Sequence, residues 1–272
     1  MRILLFVFLF ISVQIFSQDS IKTKVYREKV GDMFVIYADN EEAAPASFEY
    51  SYTAENMSSS AENKKILIFK ANSKKNVISE LKHINKRLLT KFSYNVYSMM
   101  GDVNDQTFDE NYIYSLPFDI KKEYRIDQGY NGNFSHQNSF SLDFNMKPGE
   151  KVFSAREGIV VKVVDQNDKS CLTKDCARYN NQIMILHSDG SFAEYVHLNK
   201  NGTAVKVNDS VKKGQLMGYS GGTGWAKGPH LHFSVFKNKM NGERNYIKTK
   251  FKTSAHNAGT LLEQGKTYSR TE

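Results

Sequence analysis

The sequence predicts an all-β protein: a small N-terminal β-sandwich followed by an antiparallel β-sheet domain. Short runs rich in valine, isoleucine, phenylalanine and tyrosine recur along most of the 272 residues, and polar or glycine-containing turns separate them. Only residues 78–89 have a pattern that would suit a short helix as well as a strand. Many short strands with few helices are typical of sandwiches and packed sheets.

The first seventeen residues have the composition of a secretory signal peptide. Arg2 precedes an almost unbroken apolar run, ILLFVFLFI, and the polar residues Ser17 and Gln18 follow it. A basic start, a short apolar stretch and a small residue at the end are typical of a leader that is removed on export. The run is short for a membrane span, although an uncleaved anchor is the alternative. We therefore expect cleavage near Ser17 and a secreted or periplasmic mature chain with no transmembrane segment.

Residues 18–113 are predicted to form the N-terminal β-sandwich. Its expected strands are MFVIYAD, SFEYSYTAE and KILIFKA, and the segment LLTKFSYNVYSMMGD continues the pattern. The segment ISELKHINKRLL, residues 78–89, is either a short helix or a strand-to-strand crossing. No cluster of candidate catalytic residues occurs in this region, so we expect the chemistry to lie further along the chain.

A change in character near residues 109–117 marks the predicted start of the second domain, residues 114–250. Glycine becomes frequent there, and six of the seven histidines lie beyond residue 130. The expected strands are KVFSA, GIVVKVVD, NQIMILH, SFAEYVHL, TAVKV, QLMGYS, LHFSVF and IKTKFK, with turns such as KPGEK and HSDGS. Residues 251–272 are predicted to be a C-terminal tail that includes an edge strand.

The charge of the chain indicates an anionic partner. The formal net charge is +8 and the pI is about 9.2, and a basic surface favours nucleic acid, anionic membranes or anionic polymers. The basic residues are spread along the chain rather than grouped, so we expect no nucleic-acid binding. We expect a monomer that collects on an anionic surface.

The two cysteines, Cys171 and Cys176, are separated by four residues in a polar segment. An exported chain would meet an oxidising compartment, which favours a loop disulfide between them. A metal site is the alternative, but no second cysteine pair is available to complete it.

The segment GPHLHFSVF places two histidines on one face of a predicted strand. Alternation directs Leu231, Phe233 and Val235 to the core and leaves His230 and His232 on the opposite face. Alternate residues of a strand are roughly 6–7 Å apart, since the rise is ~3.3 Å per residue. An isolated H-x-H pair is more often a surface feature than a site, so the pair gains meaning only with further groups nearby.

A third histidine lies at the end of a predicted hairpin. The run NQIMILH, the turn SDG and the run SFAEYVHL form the two arms. Alternation along the second arm predicts that Tyr195 and His197 share one face while Val196 and Leu198 share the other. We expect His187, beside the turn, to be a structural residue.

The segment NFSHQNSFSLDFNM supplies two further candidates. Asp143 lies between Leu142 and Phe144 in an apolar strand, where a carboxylate is costly unless it is paired or bound to metal. His136 lies seven positions earlier in a polar loop. An aspartate and neighbouring histidines would form a three-ligand zinc site with an open position.

The order H…D…H-L…H-L-H resembles the lysostaphin-type zinc metallopeptidases, a family of peptidoglycan endopeptidases. The flanking segments that resemble this family are FSHQNSFSLDF, KPGEKVFSAREGIV, DGSFAEYVHL, VKKGQLMGYSGGTG and GPHLHF. The similarity covers roughly residues 125–240. The N-terminal region resembles, more loosely, the sandwich that precedes the peptidase domain in some members.

The resemblance implies one Zn²⁺ per chain, held by His136, Asp143 and His232, with His197 and His230 as catalytic, non-ligand histidines. It further implies hydrolysis of peptide bonds in peptidoglycan stems or cross-links, so the expected partners are peptidoglycan peptides. Together with the basic charge of the chain, it makes an anionic cell-wall surface a further expected partner. One feature departs from the family pattern. Its common spacing is H-x-G-x-D, whereas six residues separate His136 from Asp143 and none is glycine.

No H-E-x-x-H motif occurs in the chain, so the glutamate base of other zinc peptidases is missing. A histidine must then supply acid–base help, and the sequence does not order His197 and His230. By loop position, Tyr195, Thr223 and Trp225 are predicted to bind substrate. Two alternatives remain: a non-catalytic cell-wall-binding or amidase-activating protein, and a structural β-protein with incidental histidines.

Overall fold

A computed structural model describes residues 21–271, and the predicted signal peptide, residues 1–17, lies outside this range. The all-β class is confirmed, because every regular element of the described residues is a strand except one short 3₁₀ helix, Lys174–Tyr179. Between residues 21 and 271 no helix has the length and apolar character needed to span a bilayer.

Seven strands form two sheets in the N-terminal region. They are β1 (Thr23–Val30), β2 (Met33–Asn40), β3 (Ala46–Glu55), β4 (Met57–Ser59), β5 (Lys65–Phe69), β6 (Ser73–His83) and β7 (Lys91–Met100). The strand orders are β1-β2-β6-β4 and β5-β3-β7. One hydrophobic cluster draws on both sheets, with Phe48 and Tyr50 fully buried. Residues 78–83 lie in β6 and the residues that follow lead to β7, so the ambiguous segment is a strand-to-strand crossing and not a helix.

The remaining strands belong to the larger C-terminal region. They are β8 (Ile113–Ser115), β9 (Glu123–Gln128), β10 (Ser141–Phe144), β11 (Lys151–Phe153), β12 (Gly158–Val164), β13 (Ser170–Cys171), β14 (Gln182–Leu186), β15 (Phe192–Val196), β16 (Leu198–Thr203), β17 (Ser210–Val211), β18 (Leu216–Ser220), β19 (Gly224–Trp225), β20 (Leu231–Asn238), β21 (Arg244–Ile247), β22 (Lys250–Lys252), β23 (Thr260–Leu261) and β24 (Thr267–Ser269).

A nine-stranded antiparallel sheet is the centre of this region. Its order is β17-β12-β14-β15-β20-β10-β9-β24, and β21 also pairs with β20. Two expected strands differ from the prediction. In TAVKV, residues 203–207, only Thr203 lies in a strand, as the last residue of β16. The segment IKTKFK is divided between β21 and β22. The division occurs at Thr249, whose backbone N–H and carbonyl are both bonded to the Tyr130 hydroxyl and so do not pair with a strand.

The two faces of the nine-stranded sheet have different roles. Along β14, Ile183 and Ile185 enter the main hydrophobic core, whereas Met184 lies on the opposite face. This is the period-two alternation of a strand. On the opposite face, Met184 and Phe236 pack with Ala43 and Met100 of the N-terminal region. The N-terminal region therefore covers one end of the face and leaves the rest open as a groove.

The end of the chain adds strands to this architecture. Strand β22 pairs in parallel with β8, which spans the predicted boundary between residues 113 and 114. Strand β24 forms an edge of the nine-stranded sheet by pairing with β9. The segment predicted as a tail thus contributes hydrogen bonds to the same structural unit as the large sheet.

His187 belongs to a buried polar cluster beside the hairpin turn. Its Nδ1 donates to the Glu157 carbonyl at 2.7 Å, while its Nε2 is buried without a partner. Arg156 and Asp189 form a 2.7 Å ion pair close by. Burial lowers the pKa of His187 to about 4, so the ring is neutral at pH 7.

Stability should fall in acid because of this histidine. Its pKa is lower in the folded state, so the unfolded chain binds more protons between pH 6.5 and 4. The contribution of neutral His187 is complete above pH 6.5 and is lost as the pH falls towards 4, by about 3 kcal/mol in all. Urea unfolding of wild type and His187→Asn at several pH values measures this. A variant with an undiminished pH slope would contradict the assignment.

Candidate metal centre

Three neighbouring strands bring the candidate residues together in the middle of the large sheet. Asp143 on β10 is the direct cross-strand partner of His232 on β20, and Val196 on β15 is its partner on the other side. On β20, Leu231, Phe233 and Val235 are buried in the core. The predicted alternation of this strand is therefore confirmed, and it directs His232 towards the groove.

His136 reaches the same point from the loop that precedes β10. A turn closed by the Ser139 N–H and the His136 carbonyl folds the loop back, with Asn138 in the left-handed region at φ 59°. His136 Nε2 then lies 3.1 Å from Asp143 Oδ1 and 3.2 Å from His232 Nδ1. The long spacing between His136 and Asp143 is thus a folded loop that still brings the two side chains into contact.

The donor atoms of His136, Asp143 and His232 fit a cation. His232 Nδ1 completes the set at 2.9 Å from Asp143 Oδ1, and the three residues form a group capable of holding a metal ion. His136 Nδ1 lies 3.0 Å from the Gly129 carbonyl, which can only accept, so Nδ1 carries the proton. A neutral ring then directs the lone pair of Nε2 at a carboxylate oxygen. Two acceptor atoms that face each other repel, and a cation between them would remove that repulsion. The ligand atoms around a tetrahedral zinc lie roughly 3.3 Å apart, close to the distances among these three side chains.

The electrostatics of Asp143 agree with this arrangement. Burial by itself would raise the pKa of this carboxyl, but the adjacent imidazoles of His136 and His232 outweigh burial and hold the pKa well below its usual range. The side chain of Asp143 is only 10% exposed. An ionised carboxylate in such a place attracts positive charge strongly, because little water is present to screen it.

His197 follows directly after β15, and its backbone breaks the alternation of the strand. Its φ is 68°, in the left-handed region. As a result His197 lines the groove on the same side as Glu194 and Val196 of β15, whereas Tyr195 is fully buried in the core and accepts a hydrogen bond from the Ala155 N–H. The predicted substrate-binding role of Tyr195 is therefore wrong, because strict alternation does not survive a left-handed residue.

The rings of His197 and His230 lie next to the three candidate metal ligands. Their centroids are 4.5 Å apart, and His230 Nε2 is 3.7 Å from Asp143 Oδ1. His197 Nδ1 donates to the Thr223 carbonyl at 2.7 Å, and His230 Nδ1 donates to the Gly228 carbonyl at 2.8 Å. Burial and the neighbouring imidazoles lower the pKa of His197 to about 3. His197 is therefore neutral at pH 7, with the lone pair on Nε2.

Thr223 positions His197 rather than lining the groove. Its hydroxyl donates to the Leu198 carbonyl at 2.9 Å, and the side chain is nearly buried. The backbone that follows requires glycine, because a Cβ on Gly224 would lie 1.8 Å from Asn180 Oδ1. The predicted contact of the Thr223 side chain with substrate is therefore not supported; its carbonyl holds the Nδ1 proton of His197 instead.

Trp225 lies in the groove. It borders cavities on both sides of the histidine cluster, and its ring packs against Phe134 with centroids 6.0 Å apart. A disulfide joins Cys171 and Cys176, and β13, which contains Cys171, pairs in parallel with β19. The Trp225 indole N–H also donates to the Leu172 carbonyl. The disulfide loop therefore supports the groove wall that carries Trp225.

The groove extends to both sides of the histidine cluster. One cavity, of about 1010 Å³, runs over β14 and β15 to Lys22 and Glu42 of the N-terminal region. A second, of about 620 Å³, lies between Phe134 and Pro229. Both are lined by His197 and His232. An extended ligand could therefore pass across the cluster and contact the protein on either side of it.

Gln128 is a residue that the sequence analysis missed. It is paired in register with Asp143, and its amide nitrogen donates to Asp143 Oδ2 at 3.0 Å. Its carbonyl oxygen accepts the backbone N–H groups of Phe134 and Ser135. One side chain therefore orients the aspartate and fixes the loop that carries His136. A glutamine in a strand gives no sequence signal for this role, because only the pairing of β9 with β10 creates it.

Part of the chain, including most of the candidate site, is similar to known metallopeptidases. Residues 137–244 match the model of "Peptidase family M23". The chain is 30% identical over 188 residues to an uncharacterized metalloprotease of Buchnera aphidicola, covering 63% of this chain and 47% of that protein. It is 34% identical over 113 residues to the glycyl-glycine endopeptidase ALE-1 of Staphylococcus capitis (41% and 27%), and 33% identical over 93 residues to the peptidoglycan DD-endopeptidase ShyA of Vibrio cholerae (34% and 19%).

Among solved structures, the catalytic domain of lysostaphin from Staphylococcus simulans matches with 27% identity and a TM-score of 0.34. The match covers 46% of this chain and 88% of that domain. The chain thus spans less than half of the length of each of the three curated relatives. Asp143, His197, His230 and His232 lie inside the segment matched by the family model, and His136 immediately precedes it.

Proposed function

We infer from the match of residues 137–244 to the model of peptidase family M23 that this region is a domain of that family, of the lysostaphin type, and we propose that the protein is a secreted zinc endopeptidase that hydrolyses peptide bonds in the stems or cross-links of peptidoglycan. The observation that carries the proposal is the convergence of four histidines and one aspartate at one point of the groove. A fold alone does not specify an activity, but a site with this chemistry does.

His136, Asp143 and His232 would hold the metal through Nε2, Oδ1 and Nδ1. Two imidazoles and one carboxylate are a usual ligand set for catalytic zinc and leave a position open. When bound, zinc supplies a Lewis acid that makes water more acidic and polarises the scissile carbonyl. Gln128 keeps the second oxygen of Asp143 in a hydrogen bond, so the first oxygen is directed at the site.

The two other histidines would divide the proton transfers. His197 is neutral, its Nδ1 proton is held by the Thr223 carbonyl, and its Nε2 is therefore an acceptor that can serve as general base. His230 Nδ1 also donates to a carbonyl, so its Nε2 can donate only from a doubly protonated ring. The His230 side chain is 15% exposed, and its ring centroid lies 4.5 Å from that of His197. We assign it to the developing oxyanion.

The shape and chemistry of the groove favour a peptide over a glycan substrate. Glycan hydrolysis generally uses two carboxylic acids that flank the bond. Here Asp143 belongs to the metal ligand set, and the neighbouring carboxylate, Glu194, is held by Arg244 at 2.8 Å. The cavities on both sides of the cluster suit an extended chain cut at an internal bond.

Export and wall binding belong to the same proposal. The signal-peptide pattern of residues 1–17 supports secretion, and the net charge of +8 supports attraction to an anionic wall. The non-catalytic alternative gains no support, because all five candidate residues are present and lie together. The ShyA and lysostaphin matches are to proteins named for peptidoglycan cleavage or antimicrobial peptidase activity.

Digestion of purified peptidoglycan tests the proposal. We expect the mature chain to release new amino termini without new reducing sugar ends, and a chelator should stop the release. Mass spectrometry of the fragments would identify the bond that is cut. New reducing ends in a chelator-sensitive digest would refute the peptidase assignment.

A further inference from the structure

We propose that Glu194 is a positioning residue of the metal centre: its carboxylate receives the Nε2 proton of His232 and orients the ring so that Nδ1 faces the metal. The inference rests on the proposed metal site and adds a residue to it that is neither a ligand nor one of the two catalytic histidines.

The first observation is a difference among the four imidazoles. Three of them have Nδ1 bonded to a backbone carbonyl, and the pairs are His136 with Gly129, His197 with Thr223 and His230 with Gly228. His232 is different, because its Nδ1 is directed at Asp143 and its Nε2 at Glu194. The distance from Nε2 to Glu194 Oε1 is 3.9 Å. The other three rings each have a backbone carbonyl as the acceptor of a ring proton, whereas His232 has a carboxylate near its Nε2.

The second observation is the way in which Glu194 is held. Glu194 lies in the middle of β15 and is only 5% exposed. Glu194 Oε1 accepts hydrogen bonds from Ser234 Oγ at 2.7 Å and Arg244 Nη1 at 2.8 Å. Ser234 is its direct cross-strand partner. A buried carboxylate is costly without such partners, and these two fix it beside His232.

The chemistry of imidazole ligands explains the arrangement. A ring that binds metal through Nδ1 must carry its proton on Nε2, and that proton requires an acceptor. A carboxylate in this place fixes the tautomer and the ring orientation and makes the ligand nitrogen more basic. A small rotation of the His232 ring or the Glu194 carboxylate would shorten the 3.9 Å separation to a hydrogen bond.

A purely structural role for Glu194 is the competing explanation. In that case its function would be the ion pair with Arg244, which connects β15 to β21. The two explanations differ in what they predict for Arg244. Arg244→Gln removes the cation but leaves the Glu194 carboxylate and Ser234 in place, whereas Glu194→Gln replaces the carboxylate that faces His232 Nε2 with a neutral amide.

The test is zinc affinity of the full mature chain, measured by competition with a colorimetric chelator. We expect roughly 10- to 100-fold weaker binding in Glu194→Gln and near wild-type binding in Arg244→Gln. The visible spectrum of the Co²⁺-loaded protein should change in Glu194→Gln alone. Melting of the metal-free proteins shows whether both variants fold.

Two results would overturn the proposal: wild-type affinity in Glu194→Gln, or equal losses in both variants. A wild-type chain that binds no zinc would instead reject the proposed metal site itself. Failure of this proposal is therefore distinguishable from failure of the metal site. The former is seen only when the variants are compared with wild type, whereas the latter is seen in wild type itself.

Discussion

Asp143→Ala should leave well under one zinc per chain and reduce peptidoglycan hydrolysis to background. Asp143 Oδ1 is the atom on which His136 and His232 converge, at 3.1 and 2.9 Å. Without it, two imidazoles alone would have to hold the metal, which is one ligand fewer than catalytic zinc sites use. His232→Ala should give the same result, and so should His136→Ala. Metal analysis of dialysed protein and fragment release from peptidoglycan are the measurements.

The controls separate metal loss from misfolding. Asp143→Asn keeps the shape of the side chain while removing its charge, and circular dichroism reports whether the sheet is intact. Asp32→Ala removes a carboxylate whose side chain is 80% exposed in the N-terminal region and should change neither quantity. Full zinc occupancy in folded Asp143→Ala would show that the ligand assignment is incorrect.

His197→Ala should retain zinc but lower turnover by roughly 10²–10⁴-fold, the usual contribution of acid–base catalysis. The neutral ring, held at Nδ1 by the Thr223 carbonyl, is placed to accept a proton at Nε2. His230→Ala should lose activity in the same range with zinc retained. Metal content and initial rates on one peptidoglycan preparation give both values.

His256→Ala is the matched control for these variants, because this histidine is exposed and lies outside the groove. It should keep both zinc and turnover. Near-normal rates in both His197→Ala and His230→Ala would mean that the base lies elsewhere in the groove. Loss of zinc in His197→Ala would instead make it a ligand, contrary to the geometry.

The sequence was most informative where a side chain followed the regular alternation of a strand. Side chains of a strand alternate between its two faces. This alternation alone predicts which residues of β20 lie in the core and that His232 lies on the opposite face, which is the groove. Asp143 stands out as a candidate from its apolar neighbours Leu142 and Phe144, because a carboxylate between them is costly. The pairing of Cys171 with Cys176 needed only their spacing and the expected compartment.

Predictions failed where the backbone departed from regularity. His197 has a left-handed φ of 68°, which reverses the face expected for it relative to Tyr195. Tyr195 lies in the core and Glu194 in the groove, by the regular alternation of β15, and only His197 departs from it. Alternation cannot reveal such a residue, because left-handed backbone is uncommon outside glycine and breaks the period of two on which alternation depends.

By itself the sequence determined the β class, the chemistry of the candidate ligands and their order along the chain. Only the tertiary structure decided which side chains meet. Gln128 contacts Asp143 across a strand pair, Glu194 contacts Ser234 across another, and the Thr223 carbonyl reaches His197 from a distant loop. Residue type and local period act within a few positions of the chain. These contacts join residues 15 to 40 positions apart, and the register of the strands and the path of the loops set them.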